Sequence, residues 1–372
     1  MIVVHLSDLH LGHRAFSRSE RGQNVREQDL AVAFQRAVEA TVAEGPDLVL
    51  ISGDVFDRPD PPPGALVALT RGLEALHSEL PGTRVLMVAG ARDTPWRDED
   101  SGALAALDSF PNVDAASSRA RTVVLSGHWA QVVLLAYRST LSRPWPAPDP
   151  DPRRRWNLVV AHGRVTGTEG PGVVLDPDRW DYLALGGLHS FQRVGERAAY
   201  AGALERVGPA PWEEAAEEKG FVVADLTSGS IRFQPVPGRP VVAMAPTRVP
   251  GGDPAALQSR ILEVTREIPG GIDGKIVRIR LAGPLPGDLR GLEPGFLAAL
   301  ADRALHLSIE FEEDAAPGKP ALPVLDGAWS ALDSTDERAR AILEKVLAGG
   351  GEVISTGDDI ALLGRNRWAH HK

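Results

Sequence analysis

Residues 2–12, IVVHLSDLHLG, and residues 47–57, DLVLISGDVFD, decide how this chain is read. In each, an apolar run ends abruptly in Ser or Gly and an aspartate, the pattern of a buried strand bounded by a turn. The pattern recurs at 84–89 (RVLMVA), 131–136 (QVVLLA), 157–162 (NLVVAH) and 182–186 (YLALG), placing strands there as well as at 2–7 and 47–52. Between the first two runs, Leu30, Phe34, Val38 and Val42 recur at helical spacing until Gly45-Pro46 closes the segment. A second helix follows Pro61 to Pro63 through Leu66, Leu69, Leu73 and Leu76. Strands alternating with helices imply right-handed crossovers, a largely parallel sheet and the α/β class. In such sheets ligands collect beyond the carboxyl ends of the strands, so the polar residues after each run are where chemistry is sought.

The 372 residues exceed what one core usually organises, and two domains are expected. With 43% hydrophobic and 24% charged residues the composition is that of a globular protein, and no apolar run approaches a membrane span. The first residues lack the basic and apolar regions of a signal peptide, so a cytoplasmic location is expected. No cysteine is present, which excludes disulfides and thiolate metal sites; a metal would be held by His, Asp, Glu, Asn or carbonyl oxygen. A net charge of -10 argues against coating nucleic acid by bulk electrostatics but leaves room for a local basic groove.

Five strand endings carry the candidate chemistry: Asp8-Leu9-His10, Gly53-Asp54-Val55-Phe56-Asp57, Gly90-Ala91-Arg92-Asp93, His162-Gly163 and Gly186-Gly187-Leu188-His189. Two divalent cations about 3.5–4 Å apart can clamp a phosphodiester and acidify water, and carboxylate and imidazole groups suit that task. The set resembles the calcineurin-like metallophosphoesterase signature, D-x-H, G-D-x-x-D, G-N-H-D/E, a lone His and G-H-x-H, over about residues 1–235. Ser7 to Gly12 with the following arginines, and Tyr200-Ala201-Gly202-Ala203-Leu204-Glu205 leading to Lys219-Gly220-Phe221, resemble the SbcD branch of DNA-repair nucleases.

The resemblance implies a metallophosphoesterase β-sandwich flanked by helices, with a smaller C-terminal α+β capping-like domain. It places a metallophosphoesterase domain at 1–238, the capping-like domain at 239–325, and a C-terminal helix and tail at 326–372. There the helix 335–348 would dock a partner. It further implies Mn²⁺, with Mg²⁺, Fe²⁺ or Zn²⁺ as alternatives, and a homodimer acting on DNA with an SMC-like coiled-coil ATPase of the SbcC type. Carried over residue by residue, one metal takes Asp8, His10, Asp54 and His189.

The second metal site departs from the pattern. The Asn position is Ala91, the first His of G-H-x-H is Gly187, and the His of G-N-H-D is Arg92. Only Asp54 and His162 of that ligand set remain. Arg92 brings a fixed charge that binds phosphate bidentately but cannot deliver a proton; His13 is the nearest alternative donor. Arg92 and His162 are therefore the candidate catalytic groups, with Arg14, Arg18 and Arg92 as candidates for phosphate or DNA contact. Arg21, Arg26 and the run Arg153 to Arg155 divide evenly between a solvated face and a phosphate contact. His162 can equally anchor its loop; Asp57 is expected to fix a turn, His5 to be a satisfied core histidine, and Trp96 to pack rather than stack on a base.

Three functions fit this pattern. The first is an SbcD-like DNA-processing enzyme with one intact metal site, and the second a catalytically inactive DNA-binding or scaffold subunit. The third is a mononuclear phosphoesterase acting on small nucleotides or phosphoproteins.

Overall fold

The structure, a computed structural model, describes residues 1–97, 102–141, 149–163, 175–249, 253–283, 292–293, 295–312, 325–326, 353–355 and 361–363. The expected helix at 335–348 lies outside them. The chain divides into two compact units: Met1–Ala15, Val25–Pro209 and Ala216–Gly238 form the first, and Phe16–Asn24, Ala210–Ala215 and Arg239–Lys372 the second.

The chain opens with β1 (Ile2–Leu6), the short hairpin β2 (Ser19–Glu20) and β3 (Gln23–Asn24), and α1 (Val25–Glu44). Then come β4 (Leu48–Ser52), α2 (Pro63–Glu79), β5 (Arg84–Val88), β6 (Val113–Ala116), β7 (Arg121–Leu125), β8 (Ala130–Leu135) and α3 (Tyr137–Leu141). The first unit closes with β9 (Trp156–His162), β10 (Tyr182–Gly186), β11 (Gln192–Arg193), β12 (Ala198–Tyr200), β13 (Gly220–Asp225) and β14 (Ser230–Pro235).

The apolar runs read as one central sheet are divided between two. One has the order β14-β13-β1-β4-β5-β6 and the other β11-β12-β10-β9-β8-β7. In each, four neighbouring strands run parallel and antiparallel partners finish the sheet. Alternation along the strands builds the layers. Val4, Leu6, Val49, Ile51, Val85 and Met87 face a core shared with α1 and α2. Val3, Leu48, Leu50, Leu86 and Val88 face the other way, against Val132, Leu134, Leu158 and Val160 of the second sheet. Because both faces are buried, each strand reads as a continuous apolar run, and each buried Leu, Ile or Val contributes about 1.5–3 kcal/mol. Helices α1 and α2 meet closely: a Cβ added at Gly72 would stand 2.4 Å from the ring of Phe34.

The second unit contains β15 (Val241–Ala243), β16 (Thr247–Arg248), α4 (Pro254–Glu267), β17 (Ile276–Ala282), α5 (Phe296–Arg303) and β18 (His306–Glu312). Strands β15, β16 and β18 all pair parallel to β17, so α4 and α5 are crossover helices. Asp253 caps α4, accepting from the Ala255 N–H at 3.0 Å, with Pro254 at the first helical position. Phe16 stacks on His306 with ring centroids 4.0 Å apart, and Trp212 lies on the same imidazole at 6.3 Å. These contacts draw the two short segments 16–24 and 210–215 into this unit.

Candidate metal centre

The carboxyl ends of β1, β4, β5, β9 and β10 supply the five candidate clusters. The loops after β1 and β4 run as a short ladder: Asp8 N–H donates to Gly53 O at 3.0 Å, His10 N–H to Asp54 O at 2.9 Å, and Leu11 N–H to Val55 O at 2.9 Å. Asp8, His10 and Asp54 have φ of 50°, 46° and 47°. Left-handed backbone costs a non-glycine residue about 1–2 kcal/mol, and three such residues together mark a site where strain is retained for chemistry. Glycines permit the crowding. An added Cβ at Gly53 would stand 2.4 Å from His162 Nδ1, at Gly90 2.2 Å from Asp54 Oδ1, and at Gly186 1.9 Å from Ser52 O.

Donor atoms of Asp8, His10 and His189 lie within 4.8 Å of one another, and so do those of Asp8, Asp54 and His162. Asp57 is the orienting group behind them, not a backbone turn former. It accepts from His10 Nδ1 at 3.0 Å and from His13 Nδ1 at 3.2 Å. Burial alone would raise the Asp57 carboxyl, but the two imidazole hydrogen bonds hold it well below the usual range. With its Nδ1–H given to Asp57, His10 turns Nε2 inward, 3.2 Å from His189 Nε2 and 3.8 Å from Asp54 Oδ2. Burial opposes protonation of His10, yet the hydrogen bond to Asp57 and the charges of Asp54 and Asp8 raise its pKa. His162 is set the same way: Nδ1–H donates to Ser52 O at 2.9 Å, leaving Nε2 3.6 Å from Asp54 Oδ2.

This donor set fits a divalent cation. Imidazole nitrogens and carboxylates converge here; Gly187 N–H, Arg92 N–H and Ser7 Oγ hold Asp8 and Asp54 from the side, and the crowded negative charge that remains is what a cation relieves. Two nitrogens 3.2 Å apart match two ligands each about 2.1 Å from one ion. Oxygen and nitrogen donors suit Mn²⁺, Mg²⁺, Fe²⁺ or Zn²⁺.

Of the sequence candidates, Asp8, His10, Asp54, His162 and His189 are brought together. Arg92 is exposed, and residue 92 reaches Asp54 by its backbone N–H, which donates to Oδ1 at 2.7 Å. Ala91 is exposed. Gly187 has φ +99° and donates its N–H to both Asp8 oxygens at 3.1 and 3.0 Å, so its backbone, not a side chain, serves the centre. Arg14 donates to Glu27 at 2.8 Å, and Arg18 to the carbonyls of Asp302 and Ala304 at 2.6 and 2.9 Å. Arg26 is no surface residue: it is buried, pairing with Asp29 at 2.8 Å and Glu205 at 3.0 Å. Trp96, expected to pack, is 99% exposed. His5 is the satisfied core histidine expected, with Tyr182 Oη at 2.9 Å and Ser52 Oγ at 2.8 Å.

Asp93 and Lys219 acquire roles the motif reading did not assign. Asp93 accepts from the N–H groups of Gly90, Val55 and Phe56 at 3.0, 2.9 and 2.6 Å, stapling the loops after β4 and β5. Burial and then the Asp54 charge push its carboxyl up to about 7, against those three hydrogen bonds. Lys219 is buried and donates to His189 O and Glu217, each at 2.9 Å. A lysine opening the otherwise apolar KGF stretch was the only signal of this in the sequence.

The sequence model of the calcineurin-like phosphoesterase family matches residues 1–191, more than half of the 372. Similar curated proteins include those named DNA double-strand break repair protein Mre11 from three archaea. The Methanocaldococcus jannaschii protein is 24% identical over 248 residues, 62% of this chain and 64% of the relative. The Aeropyrum pernix protein is 37% identical over 111 residues, 29% of this chain and 25% of the relative. The Thermoplasma acidophilum protein is 23% identical over 252 residues, 62% and 64% of the two chains. The chain thus spans less than two thirds of the length of these relatives. A solved structure, TT1561 of Thermus thermophilus, aligns with 63% of this chain and 99% of its own at TM-score 0.38 and 11% identity, a likeness that carries no weight here. The strand-end carboxylates and imidazoles and the family match over residues 1–191 agree: the chain belongs to the calcineurin-like phosphoesterase family.

Proposed function

We propose that this chain is an SbcD-like, metal-dependent phosphodiesterase that processes DNA. The observation that carries the reading is the convergence of His10 Nε2 and His162 Nε2 on Asp54 Oδ2, at 3.8 and 3.6 Å, with both Nδ1–H groups held from behind. Asp8, His10, Asp54 and His189 would hold one cation, Mn²⁺ by family resemblance. When bound, it supplies Lewis-acid charge for the phosphate and lowers the pKa of water. Asp57 keeps the His10 tautomer, Gly187 N–H fixes Asp8, and Asp93 keeps the two loops together. Arg92, exposed beside the centre, would bind a phosphate oxygen, and Arg14, paired with Glu27, a flanking one. Arg92 cannot move a proton; His162, at the centre, and His13, held by Asp57, are the groups that can. DNA as substrate is supported by the likeness to Mre11 proteins named for double-strand break repair.

Residues 239–325 are read as the capping-like domain and 326–372 as a partner-docking segment, and a homodimer, an SMC-like ATPase partner and a cytoplasmic location belong to the same reading. No helix among the described residues is long and apolar enough to cross a membrane. A second reading, a subunit that binds DNA without cutting it, is favoured by Ala91 and Gly187, which leave the second cation short of ligands.

Elemental analysis after Mn²⁺ loading, beside a nuclease assay with Asp54→Asn, tests both. One cation per chain and Mn²⁺-dependent cleavage lost in Asp54→Asn are expected. DNA binding without cleavage selects the scaffold, and turnover of small esters without DNA affinity selects a small-substrate phosphoesterase.

A further inference from the structure

We propose a second nucleic-acid subsite at the opposite end of the second sheet from the metal centre, a cleft that grips a single strand by stacking and phosphate contact. The cleft has a volume of about 700 Å³, and His128, Trp129, Arg153, Arg154, Arg155 and Trp156 line it with Gly127 and Pro152. No carboxylate is among these lining residues. Asp151 accepts from Arg153 at 2.9 and 3.1 Å and lies 3.6 Å from Arg154 Nε, so one carboxylate is shared by two of the three guanidinium groups. Arg154 Nε is buried without a hydrogen-bond partner among the described residues. Arg155 lies over the Trp156 ring, 5.1 Å from its centroid.

Trp129 is the telling residue. It closes the turn between β7 and β8 in the left-handed region, φ 53°, and the residue is 67% exposed. Glycine or asparagine is the economical choice at such a position, and an exposed, strained indole contributes little to the core. Its carbonyl accepts the N–H groups of Arg155 at 2.9 Å and Trp156 at 3.2 Å, so the strained turn is braced against the arginine run. Strain held in place by its surroundings points to function.

Indole faces beside guanidinium groups are the chemistry of single-strand binding: bases stack on the rings while arginines meet the phosphates. Strand β9 begins at Trp156 and ends at His162, which at about 3.3 Å per residue separates the cleft from the metal centre by roughly 20 Å. That span suits a strand whose flanking nucleotides are held away from the scissile bond. The choice of DNA as occupant rests on the function proposed above, whereas the cleft itself does not.

The test is fluorescence anisotropy of a labelled oligothymidylate with the full chain in EDTA, so that binding is read without metal or turnover. Trp129→Gly is expected to weaken binding about fivefold or more, the loss of one stacked base, while its thermal midpoint stays level or rises because the left-handed strain is relieved. The Arg154→Ala, Arg155→Ala double variant is expected to weaken binding and flatten its salt dependence. Unchanged affinity in Trp129→Gly, no binding by the wild type, or equal displacement by polyglutamate would each overturn the subsite. Asp54-dependent cleavage with unchanged Trp129→Gly binding would sink the subsite alone. Trp129-dependent binding without cleavage would sink the nuclease reading alone.

Discussion

Asp57→Asn tests the reasoning about the metal centre most directly. The carboxylate receives Nδ1–H of His10 at 3.0 Å and of His13 at 3.2 Å, and it is held ionised by them. An asparagine of nearly the same shape offers one oxygen and one NH₂ group. It can accept from one imidazole, and its NH₂ group confronts the Nδ1–H of the other. If His10 then turns its proton to Nε2, the lone pair facing His189 and Asp54 is lost. Removing an outer partner of a ligating imidazole typically costs 10- to 100-fold in metal affinity, about 1.4–2.7 kcal/mol. Mn²⁺ titration calorimetry should therefore show a dissociation constant raised by about that factor, with the thermal midpoint in EDTA changed much less. Wild-type affinity in Asp57→Asn would refute the tautomer argument, and with it the assignment of His10 as a ligand.

Two further outcomes are expected. His5 is fully buried, and burial lowers its pKa from 6.5 to about 3. The unfolded chain therefore takes up a proton there as pH falls below 6.5 and the folded chain does not, so the neutral His5 favours folding less at low pH. The penalty for His5→Gln, measured by denaturant unfolding in EDTA, should be larger at pH 7 than at pH 4.5 by a few kcal/mol; a pH-independent penalty would show that His5 is not held neutral. The double variant Ala91→Asn, Gly187→His restores the missing family ligands in sequence but should still bind one Mn²⁺ per chain. At φ +99° a histidine is strained, and its Cβ would press His162 Nε2 at 3.3 Å. Two tightly held ions in elemental analysis would contradict that.

Much of the first unit was legible in the sequence. Strands buried on both faces appear as apolar runs of five to seven residues, and the residues that end them are those found at the centre. The helix over 25–44 and the one after the proline cluster follow from spacing and from proline as a helix starter. Less visible were β6 (VDAA), β12 (AAY) and β14 (SIRFQP), whose apolar residues are few or interrupted. The division into two sheets came from the resemblance to a β-sandwich family and not from the hydropathy, because a strand covered by helices and one covered by another sheet have the same apolar pattern.

The chain read alone lists the members of the centre: Asp8, His10, Asp54, His162 and His189 at strand ends, with Ala91, Arg92 and Gly187 in place of the usual groups. Spacing along the chain identifies such residues because a strand end and its turn are local. What each one touches was decided only by the tertiary structure. Asp57 is 47 residues from His10, and Lys219 is 30 from His189. Arg26 and Glu205 meet across 179 residues, turning a candidate DNA contact into a buried ion pair. The pairing of strands across the sheets brings these groups within hydrogen-bond reach, and orientation, tautomer and burial, on which ligation depends, are properties of that packing and not of any short stretch of sequence.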